Sequence, residues 1–191
     1  MKTVMNTPTK LIAASLTLIL CSLVLFGISQ PTAPPNQHNL KSAPTEQPLT
    51  TDVIYIVRHA DTQGGSNPDL SAAGQARAEH LASMLQDEQL AAVFVTNTNR
   101  SIQTGIPAAT DAGITTTIYS PFDGAAVAAA ITNIPGSNAT LVVAHSNTVP
   151  LIITALGGPQ FEDLEETEFD RLYAVTLSNG KHIRTLELHY E

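Results

Sequence analysis

Three apolar runs in this sequence end on residues able to handle an anion. "VIYIVRHADT" closes on Arg58 and His59, "FVTNTNRSIQT" runs from a second apolar stretch into Asn97 and Arg100, and "LVVAHSNTVP" delivers His145. Guanidinium groups present fork-shaped donors that match phosphate oxygens, and a neutral imidazole nitrogen can attack phosphorus. Two guanidiniums and two imidazoles in one cleft would describe an anion site with a nucleophile. Phosphoryl transfer mainly needs positioning and charge neutralisation, which these groups could supply without a metal.

The elements that must bring them together are legible in the pattern of apolar residues. "DVIYIVRH" and "AAVFVTN" read as buried strands, "TTTIYS" as a third, weaker strand and "ATLVVAHS" as a fourth, all of a mostly parallel sheet. Helical stretches alternate with them: one opening at a Ser71 cap, "RSIQTGIPAATDAG" expected to break at Pro107 and end at Gly113, the Ala-rich "DGAAVAAAITNI", and "TVPLIITALGG". The order implies an α/β fold, a three-layer α/β/α arrangement around a mostly parallel central sheet. "RLYAVTLSNGKHIRTLELHY" departs from it, with two alternating runs about Asn179-Gly180 that signal an antiparallel C-terminal hairpin. Ligands of such sheets bind where parallel strands end. An Arg-His pair or a single histidine alone is more often structural; it is the joint placement of all four groups at equivalent strand ends that favours a site.

"VRHADT", "DLSAAGQARAEHLASML", "FVTNTNRSIQT" and "LVVAHSNTVP", from about Asp52 to Gly158, resemble the histidine phosphatase superfamily, the phosphoglycerate mutase-like fold. The resemblance implies that His59 is the nucleophile that becomes phosphohistidine. It also implies that Arg58 and Arg100 bind the phosphoryl oxygens, that His145 donates to them and that Thr62 lines the pocket. The segment Leu70 to Gly74 matches the family's helix-opening signature. Ala60 stands where many members have glycine. Ser146 stands where phytase-like members carry an acid, which argues against that branch.

A leaving oxygen needs a proton. In the mutase-like branch of the family the acid comes from between the arginine helix and the second-histidine strand, so the resemblance implies Asp123 as the general acid; Asp61 is a rival by proximity, and a helix N-cap is the competing role for Asp123. "FEDLEETEFD" places six acids in ten residues, for which a solvated loop is the default reading, with a lid, a partner surface or a divalent-cation patch as alternatives. His38, His80, His182 and His189 fall in no motif.

The 191 residues divide into three parts. Leu11 to Ile28 is an 18-residue uncharged apolar run behind Lys2 and Lys10, expected to make residues 1–30 a signal peptide or an N-terminal membrane anchor. Membrane contact is then expected through residues 11–28 if the leader is kept. Residues 31–50 are a Pro-rich linker, and 51–191 the histidine phosphatase domain. Cys21, within the apolar run, is the one cysteine, so no internal disulfide can hold the domain. Six Lys/Arg against 16 Asp/Glu after residue 50 leave that part at −10, a poor nucleic-acid binder, so no nucleic acid is expected as a partner.

The reading expects an exported, periplasmic or extracytoplasmic phosphatase that uses no metal or other cofactor and acts on a small phosphorylated substrate. The compact length resembles the small bacterial members, which include phosphohistidine phosphatases and exported phosphatases of envelope sugar phosphates. Its alternatives are a catalytically weak module that binds a phosphate ligand, and a mutase-type transferase.

Overall fold

A computed structural model describes residues 49–136 and 138–190 of the chain. The compact unit Glu46–Glu191 contains all of them. The expected leader lies outside the described residues, as does the linker apart from residues 49 and 50. Among the described residues no helix is long and apolar enough to cross a membrane.

The domain alternates as its sequence requires: β1 (Thr51–Arg58), α1 (Ala72–Leu85), β2 (Leu90–Thr96), α2 (Asn99–Asp111), β3 (Thr116–Tyr119), α3 (Gly124–Thr132), β4 (Ala139–Ala144), α4 (Val149–Ala155), β5 (Arg171–Ser178) and β6 (Lys181–His189). The six strands form one sheet in the order β3-β2-β4-β1-β5-β6. Pairings among β1 to β4 are parallel, whereas β5 runs antiparallel to β1 and β6 antiparallel to β5. Asn179 and Gly180 both have positive φ, at 50° and 71°, as a type I′ turn between β5 and β6 demands.

Alternation along the central strands sorts the core into two layers. Ile54, Ile56, Val142 and Ala144 point to the face covered by α3 and α4, where Val127, Ile131, Ile152 and Ile153 meet them. Val57, Val93, Val95, Leu141 and Val143 point to the other face, against Leu81, Leu85, Ala108 and Ala109 of α1 and α2. All six residues of β4 are buried, so this strand carries apolar or small residues on both faces.

One local expectation is corrected: α2 runs without a break through Pro107. Proline removes one intrahelical hydrogen bond. Buried Ser101, Thr104 and Gly105 before it and Ala108 and Ala109 after it fasten the helix to the sheet, and that packing overrides the local loss. The expected stop holds, with Gly113 following at φ 68°.

Candidate active site

The parallel strands β1, β2, β3 and β4 all end at one edge of the sheet, and a cavity of about 460 Å³ opens there. Arg58, His59, Thr98, Arg100, Pro121, Phe122, His145, Ser146, Asn147 and Thr148 line it. The four Arg and His positions singled out in the sequence are thus brought together.

Backbone and hydroxyl hydrogen bonds stitch the strand ends. The His59 amide donates to the Ala144 carbonyl (2.9 Å), tying β1 to the end of β4. The fully buried Ser101 hydroxyl donates to the Val143 carbonyl (3.1 Å) and accepts from the Thr96 amide (2.9 Å), tying the start of α2 to β4 and β2. Thr104, also fully buried, donates to the Arg100 carbonyl and accepts from the Ala60 amide. A buried hydroxyl that satisfies two backbone groups fixes both.

His59 is 7% exposed. Its Nδ1 lies 2.9 Å from the Ala60 carbonyl oxygen, which can only accept, so Nδ1 carries the proton and Nε2 keeps its lone pair. Burial, reinforced by the nearby charges of His145, Arg100 and Arg58, holds the His59 pKa down at about 4 against the opposing Ala60 hydrogen bond. His145, whose Nε2 pairs with the Thr96 hydroxyl at 2.9 Å, is likewise lowered to about 4, by burial and then by Arg100 and Arg58. The two rings meet edge to face with centroids 5.3 Å apart. At neutral pH both imidazoles are uncharged, beside two permanently charged guanidiniums.

Arg58 is 8% exposed, and its Nη1 donates to the carbonyls of Glu165, Glu166 and Glu168 at 2.8, 2.9 and 3.2 Å. Arg100 sits in the first turn of α2, whose Thr98 cap also lines the cavity, so a helix N-terminus adds its positive end to the site.

Three other candidates have different places. Asp123 is exposed and its carboxylate accepts from the Ala126 amide at 2.9 Å as the N-cap of α3. It caps α3 and is not among the residues that line the cavity, although the adjacent Phe122 is. Asp61 turns away into an ion pair with Arg77 at 2.8 Å. Thr62 forms an isolated antiparallel bridge with Leu70 in the loop after His59 and is not among the residues lining this cavity.

The helix-opening signature gains a physical reason. Ser71 caps α1 by accepting from the Gly74 amide, and its own amide donates to the Asp61 carbonyl. A Cβ on Gly74 would stand 2.0 Å from that same carbonyl oxygen, so only glycine lets α1 press against the loop that carries His59. The acidic segment offers more than solvated charge, because its backbone carbonyls engage Arg58 while the Glu165 and Glu166 side chains stay exposed.

Comparison with known proteins agrees with this geometry. The family model of the histidine phosphatase superfamily (branch 1) matches residues 54–122. No curated relative matches the chain. Among solved structures, the protein histidine phosphatase SixA complexed with tungstate is similar at 20% identity and TM-score 0.59, over 72% of this chain and 96% of that one. Phosphoglycerate mutase from Bacillus anthracis aligns at 13% identity and TM-score 0.53, over 70% and 91%. A mycobacterial glucosyl-3-phosphoglycerate phosphatase aligns at 13% identity and TM-score 0.51, over 73% and 98%. At such identities the likeness concerns the fold. The chain thus carries the histidine phosphatase superfamily (branch 1) match over residues 54–122 on a phosphoglycerate mutase-like fold.

Proposed function

We propose that the domain is a phosphatase that hydrolyses a phosphomonoester or similar phosphoryl group through a phosphohistidine on His59. The observation that carries this reading is the state of His59: a buried, neutral imidazole whose Nδ1 proton is spent on the Ala60 carbonyl, with Arg58, Arg100 and His145 around the same cavity.

In the first step the Nε2 lone pair attacks phosphorus, a P–N bond forms, and the bond from phosphorus to the leaving oxygen breaks. Arg58 and Arg100 neutralise the phosphoryl oxygens, and His145 adds a hydrogen bond. In the second step water attacks phosphorus, the P–N bond breaks and its electrons return to Nε2, while the water proton is lost to solvent or to the released phosphate. Holding Nδ1–H on a fixed carbonyl keeps Nε2 aimed through both steps.

No carboxylate is among the described residues that line the cavity. A leaving group that departs with little help from a proton donor fits this lining best, and aryl phosphates meet that condition. The same observation favours a second reading, a module that binds a phosphate ligand with little turnover. Mutase chemistry must hold a second phosphoryl group, for which the lining offers no cation beyond the two arginines. The site of action proposed is outside the cytoplasm, supported by the apolar run Leu11 to Ile28 behind Lys2 and Lys10.

Hydrolysis of p-nitrophenyl phosphate by the full chain, with EDTA present, tests the proposal. Activity abolished by His59→Ala supports it. A folded parent that binds inorganic phosphate yet turns over no aryl phosphate between acidic and neutral pH favours the binding module.

A further inference from the structure

The antiparallel β5 starts at the same sheet edge where β1 stops, since Leu172 pairs with Val57. The turn before β5, Glu165 to Phe169, is therefore delivered beside the strand end that carries Arg58 and meets its guanidinium. Nη1 of Arg58 gives its donors to three carbonyls of this turn, and the guanidinium carbon lies 4.1 Å from the centroid of the Phe169 ring. The same ring stands 6.1 Å from that of His59. Such a stack is attractive and orients a planar cation.

The turn itself is anchored on both sides. Leu164 is buried and its amide donates to the Ser146 carbonyl, next to His145. The Glu168 carboxylate accepts from the Glu165 amide at 2.9 Å and pairs with Arg171 at the start of β5. With Nη1 committed, the Nε and Nη2 edge of Arg58 is what remains for a ligand. Nε is buried and has no partner within the protein. An orphaned buried donor on a cavity-lining guanidinium is what a bidentate phosphoryl contact would satisfy.

We propose that Phe169 is a positioning residue, and that the Glu165–Phe169 turn holds Arg58 with its Nε/Nη2 edge presented to the phosphoryl group before the substrate arrives. The proposal rests on the reading of the cavity as a phosphoryl site. Pre-ordering a long side chain removes a cost that binding would otherwise bear. In this turn the Glu165 and Glu166 side chains stay exposed and the Glu168 carboxylate braces the turn, while the backbone supplies the acceptors for Arg58.

The test is calorimetric binding of inorganic phosphate to the full chain, with kcat/KM for p-nitrophenyl phosphate beside it. Phe169→Leu keeps apolar bulk and removes the aromatic face; Phe169→Tyr keeps the face. The leucine variant is expected to weaken phosphate binding and kcat/KM by about tenfold, and the tyrosine variant by less than about threefold. Phe169→Met replaces the leucine variant should that one fail to fold. In an Arg58→Gln background, Phe169→Leu is expected to cost less than about threefold in kcat/KM, because its effect passes through Arg58. Phosphate binding by Phe169→Leu as tight as in the parent overturns the proposal, as does an undiminished loss in the Arg58→Gln background. A parent that binds no phosphate refutes instead the phosphoryl reading of the cavity.

Discussion

The Thr104 hydroxyl accepts a hydrogen bond from the Ala60 amide at 2.9 Å while donating to the Arg100 carbonyl at 2.7 Å. One side chain thereby fixes the distance between the residue after His59 and the segment that carries Arg100. Thr104→Val removes the hydroxyl from a fully buried position and leaves the Ala60 amide unsatisfied. A loss of about 1–3 kcal/mol of stability is expected. Activity should fall with it, and Thr104→Ser should retain both. Urea denaturation and p-nitrophenyl phosphate kinetics on the two variants check this.

Gly74 is the point of closest approach between α1 and the loop after His59. Gly74→Ala places a methyl within 2.0 Å of the Asp61 carbonyl oxygen, so the helix start or the loop must shift. A destabilisation of about 1–3 kcal/mol is expected, as for overpacked sites. Because Asp61 lies two residues beyond His59, kcat should drop as well. Gly113→Ala, where no atom lies within 4 Å of the added Cβ but φ is 68°, should cost stability through backbone strain and leave kcat unchanged.

Asp123 offers a test of its role as a cap. Asp123→Asn preserves an N-cap acceptor and should keep kcat for aryl phosphate within about threefold of the parent, whereas Asp123→Ala should cost about 1 kcal/mol of stability. A large loss of kcat in the asparagine variant, steeper for alkyl than for aryl phosphates, would restore the carboxyl group as a proton donor. Steady-state kinetics with both ester classes decides.

The depressed imidazole pKa values give the protein a defined response to acid. His59 and His145 take up a proton near pH 6.5 when unfolded but only near pH 4 when folded. Between those values the unfolded chain binds more protons, so stability is full above pH 6.5 and falls as pH drops towards 4. The loss approaches roughly 3 kcal/mol for His59 by linkage. His59→Gln should flatten the slope of urea midpoint against pH across this window. For the same reason the acidic limb of kcat/KM should lie near pH 4 rather than 6.5. It belongs to the coupled pair rather than to one ring.

Much of the fold could be read before any coordinates, for reasons visible in particular residues. β-branched runs such as Val53 to Val57 have few alternatives to a buried strand, and Asn179-Gly180 suits few conformations other than a tight turn. Arg58, His59 and His145 are legible because each closes such a run, and Arg100 because it opens the helix that follows one; parallel strands end together. The roles of Thr104 and Ser101 are not legible, since a hydroxyl gives no sign in sequence of which backbone groups it will reach. The carbonyl cradle on Arg58 was hidden for a stronger reason. Backbone carbonyls are common to every residue, so the sequence pattern of six acids carries no sign of the cradle that their backbone forms.

The central claim is that Nε2 of His59 takes the phosphoryl group. Rapid-quench mass spectrometry of the full chain during turnover of p-nitrophenyl phosphate addresses it most directly, under alkaline conditions that preserve phosphoramidates. The expected result is a phosphoryl adduct that maps to the peptide bearing His59 and is absent in His59→Ala. Turnover in which His59 stays unmodified, or which survives His59→Ala, would contradict it.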